Sequence, residues 1–342
     1  MSTHRLVERI WYGDAASARL ARAALTPASA LFGAVASVRN RLYDAGVLPQ
    51  HRLALPAVSV GNISVGGTGK TPVAAWLARE LDARGMRPAI VLRGYGGDEP
   101  LVHQRLNPSV GVVVAPDRVE GARRAAALGA DVVVLDDALQ HRRARREVDV
   151  VLVSADRWRP GLRVLPAGPL RESTRALERA ALVLVTRKAA SRERAEEVAR
   201  WLGRRVPAER VGVVHLAPAA LVEWRGGRRT ELSALRGRQL RVVAAIGDPE
   251  AFRRQLEGHG ATVSVADHRD HHRFARAEVE QLAASVPPAS LLVCTLKDAV
   301  KLGPLWPATG PDLWYVAQDV ILERGHEALS RSLDRLHPRA VD

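Results

Sequence analysis

Cysteine is almost absent from this 342-residue chain, with Cys294 standing alone. One thiol closes no internal disulfide and builds no multi-cysteine zinc or iron–sulfur centre, so a reducing compartment is expected. Lysine is nearly as scarce. Lys70, Lys188, Lys297 and Lys301 are the only lysines among 51 basic residues, and the rest are arginine. In a chain with that preference, a retained lysine marks a place where a compact, mobile ammonium is wanted instead of a planar guanidinium, which singles out Lys70, Lys297 and Lys301. Aromatic residues make up 4%. They are not interleaved with basic stretches, so the stacking platforms of a nucleic-acid-binding protein are missing. Nucleic acid is therefore not an expected partner, and the formal net charge of +14 is read partly as compositional arginine and partly as attraction to phosphate or anionic lipid.

Long hydrophobic runs are missing too. The uncharged stretch Ala23–Val38 is alanine-rich, contains Pro27 and falls short of the roughly 20 apolar residues that span a bilayer. Glu8 and Asp14 interrupt the N-terminus, which has neither a compact apolar region nor a small-residue cleavage site and does not read as a secretory signal. A cytoplasmic location is expected. Leu31, Val35, Val38 and Leu42 nevertheless recur at helical spacing, with Trp11, Tyr12, Phe32 and Tyr43 nearby and Arg19, Arg22, Arg39 and Arg41 flanking them. Two readings fit: an amphipathic helix lying in a membrane interface, or a helix packed on its own domain.

From Ala57 onward, short apolar β-branched runs alternate with helical patterns. Strands are expected at Val58–Val60, Ala89–Leu92, Val110–Val114, Val132–Leu135, Val148–Val153 and Leu182–Val185. Continuous apolar strands separated by helices imply a parallel sheet covered on both faces. ALVEWRGGRRTEL, with Gly226-Gly227 at its turn, reads as a hairpin, and a second βαβ-like unit follows it. The expected architecture is α/β: a P-loop NTPase-like parallel sheet domain, a second, smaller α/β domain and an N-terminal amphipathic helical segment. The boundaries are a membrane-interface segment over 1–52, the parallel-sheet domain over 53–218, a hairpin linker over 219–235 and the second domain over 236–342.

GNISVGGTGKTP, from Gly61 to Pro72, sits between an apolar strand and a helical pattern. Such a loop turns its backbone N–H groups toward phosphates at a helix N-terminus. Gly66, Gly67, Thr68 and Gly69 would cradle the nucleotide, Lys70 would reach the β and γ oxygens, and Thr71 would hold magnesium. The usual spacing asks for glycine at position 64, where this chain has Ser64. Asp136-Asp137 ends the strand Val132–Leu135, on the ligand-binding edge of a parallel sheet, where an acidic pair would organise the same ion. ATP and Mg2+ are therefore the expected cofactors. Proton acceptance from a hydroxyl falls to Asp98, Glu99, His141 or His271, which the residues alone do not rank. The run His268-Arg269-Asp270-His271-His272 is compatible with a metal site, a solvated loop or a catalytic histidine.

The runs VGNISVGGTGKTP, RGYG, GDEP, DDALQHRRARR, LPAGPLRE, AIGDPEAF, DHHRF and TLKDAVK resemble, in order and spacing, the signature segments of the tetraacyldisaccharide 4′-kinase family. The likeness extends from IWYGD to about residue 320, and that family also lacks glycine at the position of Ser64. It implies ATP-dependent phosphorylation of a tetraacyldisaccharide 1-phosphate by a monomer peripheral to the cytoplasmic face of the inner membrane. It also implies that Asp98 is the catalytic base, paired across a cleft with His271, with His268 a competing match. Lys70 and Thr71 would be the loop lysine and magnesium ligand, and Asp136 and Asp137 the acidic pair. Glu99, Gln140, His141 and Arg171 are further substrate-site candidates. This chain departs from the family by fusing RGYG to GDEP, by Ala138 for glycine and by Leu296 for glutamate.

A partitioning-type ATPase is the competing enzyme class. It depends on a second lysine near the start of the loop, where Ile63-Ser64-Val65 has none. A catalytically dead scaffold would not require the intact loop and acidic pair.

Overall fold

The computed structural model describes residues 3–94, 97–246, 249–268 and 272–337. Two helices come first, α1 (Thr3–Tyr12) and α2 (Ala16–Asp44). The short strand β1 (His51–Arg52) leads into β2 (Ala57–Asn62), α3 (Lys70–Asp82), β3 (Pro88–Leu92), α4 (Glu99–Leu106), β4 (Gly111–Val114), α5 (Arg118–Ala127) and β5 (Val132–Asp136). The short strand β6 (Ala144–Arg145), which pairs with β1, then β7 (Val148–Ser154), β8 (Leu182–Arg187) and α6 (Arg192–Leu202) complete the first half.

The second half opens with the long strand β9 (Val211–Glu223), which turns through Gly226 and Gly227 into β10 (Arg229–Glu231). It continues as β11 (Gln239–Ala244), α7 (Pro249–Gly258), β12 (Thr262–Asp267), α8 (Arg276–Ala284), β13 (Ser290–Thr295) and α9 (Leu296–Leu302). The chain returns along β14 (Leu313–Arg324) and ends in α10 (His326–Asp334).

The mostly parallel α/β sheet expected from the strand–helix alternation is present, and it runs unbroken through both halves in the order β12-β11-β13-β14-β9-β8-β7-β2-β5-β3-β4. Its central strands β2, β3 and β5 are buried on both sides, which is why they read as continuous runs. Val58, Val60, Val132 and Val134 turn to one face, where α3 and α10 pack through Leu77, Leu81, Leu329 and Leu333. Their neighbours Ala57, Val133 and Leu135 turn to the other, beneath Val119, Ala122 and Ala125 of α5. Farther along that sheet, Val151, Val153, Val183 and Val185 bury against Ala195, Val198 and Leu202 of α6.

The two halves are joined by an antiparallel ribbon of β9 and β14, paired from Trp314–Glu223 to Arg324–Val213. The far end of β9 lies parallel to β8, and the near end of β14 lies parallel to β13. The ribbon thus crosses from one half to the other, and α10, numbered within the second half, packs on the first core.

Helix α2 has few contacts with that core. Leu31, Val35 and Val38 are 68%, 60% and 54% exposed, and the helix is long and apolar enough to cross a membrane by length and composition. Its polar residues hold it against the protein body. Ser29 Oγ donates to Val164 O at 3.0 Å, Asn40 Nδ2 to Glu172 Oε2 at 2.7 Å, and Arg142 Nη2 to Asp44 Oδ1 at 2.6 Å.

Candidate active site

The loop between β2 and α3 is shaped by glycines at positive φ, Gly66 at 108° and Gly69 at 87°. A Cβ on Gly69 would overlap Leu216 Cδ1 of β9, so both the backbone conformation and the space require glycine there. The loop is pinned from within and without. Asn62 Nδ2 donates to Thr68 Oγ1 at 2.8 Å, Thr186 Oγ1 to Thr68 O at 2.9 Å, and Lys188 Nζ to Gly67 O at 2.9 Å. The segment LPAGPLRE runs alongside, with Val65 N donating to Pro169 O at 2.7 Å and Arg171 N to Ile63 O at 2.7 Å. Such a framework holds backbone N–H groups in place for a multiply charged anion at the N-terminus of α3.

Strand pairing brings the acidic pair to the same place, because β5 lies beside β2 with Val60 opposite Asp136. Lys70 Nζ is 3.7 Å from Asp137 Oδ1, and Arg171 Nη1 is 3.4 Å from the same oxygen. Asp137 itself takes φ 51°, a left-handed conformation uncommon for a residue with a Cβ. Asp136 is buried, with Oδ2 2.9 Å from His103 Nε2 of α4 and its main-chain oxygen accepting from Arg118 Nη2 at 3.1 Å. Burial alone would raise the Asp136 carboxyl. The His103 hydrogen bond and the charges of His103, Lys70 and Lys297 outweigh it and hold the group below the usual carboxylate range.

These groups line a cleft of about 850 Å³ between the two halves. Gly66, Gly67, Thr68, Gly69, Lys70, Thr71, Glu99, Asp136, Asp137, Gln140, His141 and Arg171 all contribute to its wall. The second half contributes Phe252, Gln255, Thr295, Lys297 and Gln318. Lys297 Nζ lies 3.9 Å from Glu99 Oε1, bridging the cleft. Burial pushes the Glu99 carboxyl up, aided by Asp136 and Asp98 and opposed by Lys297 and Lys70. His141 is held below the ordinary imidazole value by burial and by Arg118. Asp98 is 2% exposed at the start of α4 and is not among the described residues lining the cleft. His271 lies outside the described residues. The competing His268 stacks on His272 at 5.0 Å, and His272 Nε2 is 2.9 Å from Glu278 Oε1, which ties that loop to the start of α8.

The tetraacyldisaccharide-1-P 4′-kinase (LpxK) family model matches residues 21–98 and 96–337. The chain belongs to that family. The tetraacyldisaccharide 4′-kinase of Anaeromyxobacter sp. (strain K) is 38% identical over 357 residues, covering 96% of this chain and 94% of the relative. The enzyme of the same description from Azoarcus sp. (strain BH72) is 39% identical over 338 residues, covering 91% of each chain. The crystal structure of the "apo" form of LpxK from Aquifex aeolicus in complex with ATP is similar with a TM-score of 0.75 at 27% identity, covering 93% of this chain and 99% of that one.

Two groups at this site, His103 and Glu172, are not marked by the motifs. His103 was invisible as the partner of Asp136, because the pair is 33 residues apart and meets only through the packing of α4. Glu172 lies inside LPAGPLRE, yet its role as a hub shows only in space: it accepts from Asn40 Nδ2 at 2.7 Å, Gln140 Nε2 at 3.0 Å and Arg179 Nη2 at 2.9 Å. Lys297 was flagged by the scarcity of lysine, but the sequence does not say which side of the cleft it occupies.

Proposed function

We propose that this chain transfers the γ-phosphate of ATP to the 4′-hydroxyl of a tetraacyldisaccharide 1-phosphate, giving lipid IVA for lipopolysaccharide biosynthesis. In a member of this family, the observation that carries the reading is the convergence of the glycine loop and the acidic pair in one cleft, with Lys70 Nζ 3.7 Å from Asp137 Oδ1. The backbone amides of residues 66–71 bind the nucleotide's phosphates, and the Lys70 ammonium exchanges Asp137 for the β and γ oxygens.

Three oxygen donors suit a small, hard divalent cation. They are the hydroxyl of buried Thr71, the Asp137 carboxylate, and Asp136 Oδ1, which is buried without a hydrogen-bond partner among the described residues. Thr71, Asp136 and Asp137 would hold Mg2+, which when bound neutralises charge on the phosphate oxygens.

As the acceptor oxygen bonds to phosphorus and the bond to the β–γ bridging oxygen breaks, ADP leaves and the hydroxyl proton passes to a carboxylate. We assign that carboxylate to Asp98, oriented by His271. Glu99 is the second reading, favoured by its place in the cleft wall and its raised carboxyl. Lys297 and Arg171 disperse charge around the transferring group, and Gln140 and His141 line the acceptor side. Residues 53–218 and 236–342 form the two walls, with 219–235 between them.

Residues 1–52 serve as the membrane segment. Ser29, Asn40 and Asp44 all touch the protein body, so roughly 22 Å of α2 lies along it at 1.5 Å per residue. That length along the body favours a helix resting in the interface over one crossing the bilayer. The protein then works as a peripheral monomer at the cytoplasmic face of the inner membrane, where its acylated substrate is embedded.

The test is transfer of label from γ-labelled ATP to tetraacyldisaccharide 1-phosphate, run beside glucosamine. Labelling of the lipid alone is expected. No labelling, or equal labelling of glucosamine, refutes the assignment.

A further inference from the structure

The geometry points to His103 as a positioning residue that holds one oxygen of Asp136 so that the other is presented to the metal and nucleotide, while locking helix α4 to the end of strand β5. This inference rests on the metal reading given above.

His103 is 0% exposed, and its Nε2 lies 2.9 Å from Asp136 Oδ2. A carboxylate can only accept, so Nε2 carries the proton of this bond. Its Nδ1 is buried without a partner among the described residues, as is Asp136 Oδ1. One carboxylate oxygen is thus occupied and the other kept open, with the main chain of Asp136 held separately by Arg118 at 3.1 Å. An unanchored aspartate at a strand end would rotate about its two side-chain torsions, whereas a buried bond to one oxygen leaves a single orientation. Histidine–carboxylate support of this kind orients metal ligands elsewhere.

The bond acts in a second direction. Helix α4 starts at Glu99, directly after Asp98, and His103 lies one turn beyond Glu99 on the same face. Fastening His103 to Asp136 therefore fixes Asp98 and Glu99 relative to the acidic pair. Both functions of the cleft, holding the phosphate and receiving the proton, depend on one buried contact.

The test compares His103→Leu, similar in bulk but without a donor, with His103→Gln, whose amide N–H can reach the carboxylate. Mn2+ affinity of the full-length protein is measured by electron paramagnetic resonance in the presence of a non-hydrolysable ATP analogue. Analogue binding in EDTA is measured in parallel, and thermal unfolding verifies folding. His103→Leu is expected to weaken Mn2+ binding about 10–100-fold and to raise the KM for Mg2+. Analogue affinity in EDTA should stay within about twofold, and His103→Gln should recover most of the loss. If the leucine variant does not fold, His103→Ala supplies the same donor-less comparison.

Wild-type Mn2+ affinity in a folded donor-less variant overturns the proposal, as does equal loss in the glutamine and leucine variants. Asp136→Asn separates the two readings. If it weakens Mn2+ binding while His103→Leu does not, only the positioning role fails. If Asp136→Asn leaves Mn2+ affinity unchanged, the metal reading fails and the positioning role falls with it.

Discussion

Alanine at position 69 perturbs the phosphate loop where it is most constrained. Gly69 has φ 87°, and an L side chain in that left-handed region costs about 1–2 kcal/mol. The new methyl also overlaps Leu216 Cδ1, on a strand residue that is fully buried, and forcing a methyl into a packed core costs about 1–3 kcal/mol. Gly69→Ala should therefore destabilise by about 2–5 kcal/mol in total. Leu216→Val removes the offending carbon at a cost of about 1 kcal/mol for the lost methylene. Because the overlap exists only when both groups are present, the double variant should be less destabilised than the sum of the two single ones by about 1–3 kcal/mol. Urea unfolding, with the slope checked for constancy, measures all four proteins. Strict additivity, or a Gly69→Ala cost below about 0.5 kcal/mol, refutes the claim that the loop is held against β9 in this conformation.

Two further outcomes are expected. Asp98→Asn should lower kcat about 100-fold or more while ATP affinity stays near wild type. A carboxyl held above the ordinary glutamate range stays protonated to higher pH, so if Glu99 is the base instead, the rate climbs as pH rises through that raised value and Glu99→Gln abolishes the turnover; pH–rate profiles of both variants decide between them. At the membrane face, Leu31→Glu with Val35→Glu should cut partitioning onto anionic vesicles at least about tenfold, since each buried apolar side chain contributes about 1.5–3 kcal/mol; unchanged co-sedimentation leaves α2 a purely structural element.

Much of the first half was legible because its signals are local. The glycine run between an apolar strand and a helical pattern places the phosphate loop, and the aspartates closing Val132–Leu135 lie on the ligand edge of any parallel sheet. Alternation of strands and helices was enough for the α/β architecture. The ribbon of β9 and β14 was not legible, because its partners are about a hundred residues apart and nothing in either strand names the other. The hairpin at Gly226-Gly227 is local and was legible, but that its first strand β9 also joins the long sheet between β8 and β14 was not. The return of α10 to the first core depends on Leu329 and Leu333 meeting α3 in space. At the site, the chemistry of Asp136 was visible, but its environment was not: burial, the His103 bond and the open Oδ1 are products of tertiary packing. Asp98 shows the reverse case, a residue marked by its motif that the fold buries beside the cleft and not in its wall.

The most direct test of the account is equilibrium binding of ATP and of AMP to the wild-type protein and to Lys70→Met. If the loop grips the terminal phosphates, ATP binds far more tightly than AMP. Lys70→Met should then weaken ATP about 10–100-fold, the worth of a charge-assisted hydrogen bond at about 1.5–3 kcal/mol, and leave AMP unaffected. Equal affinity for the two nucleotides, or wild-type ATP binding by Lys70→Met, would contradict it.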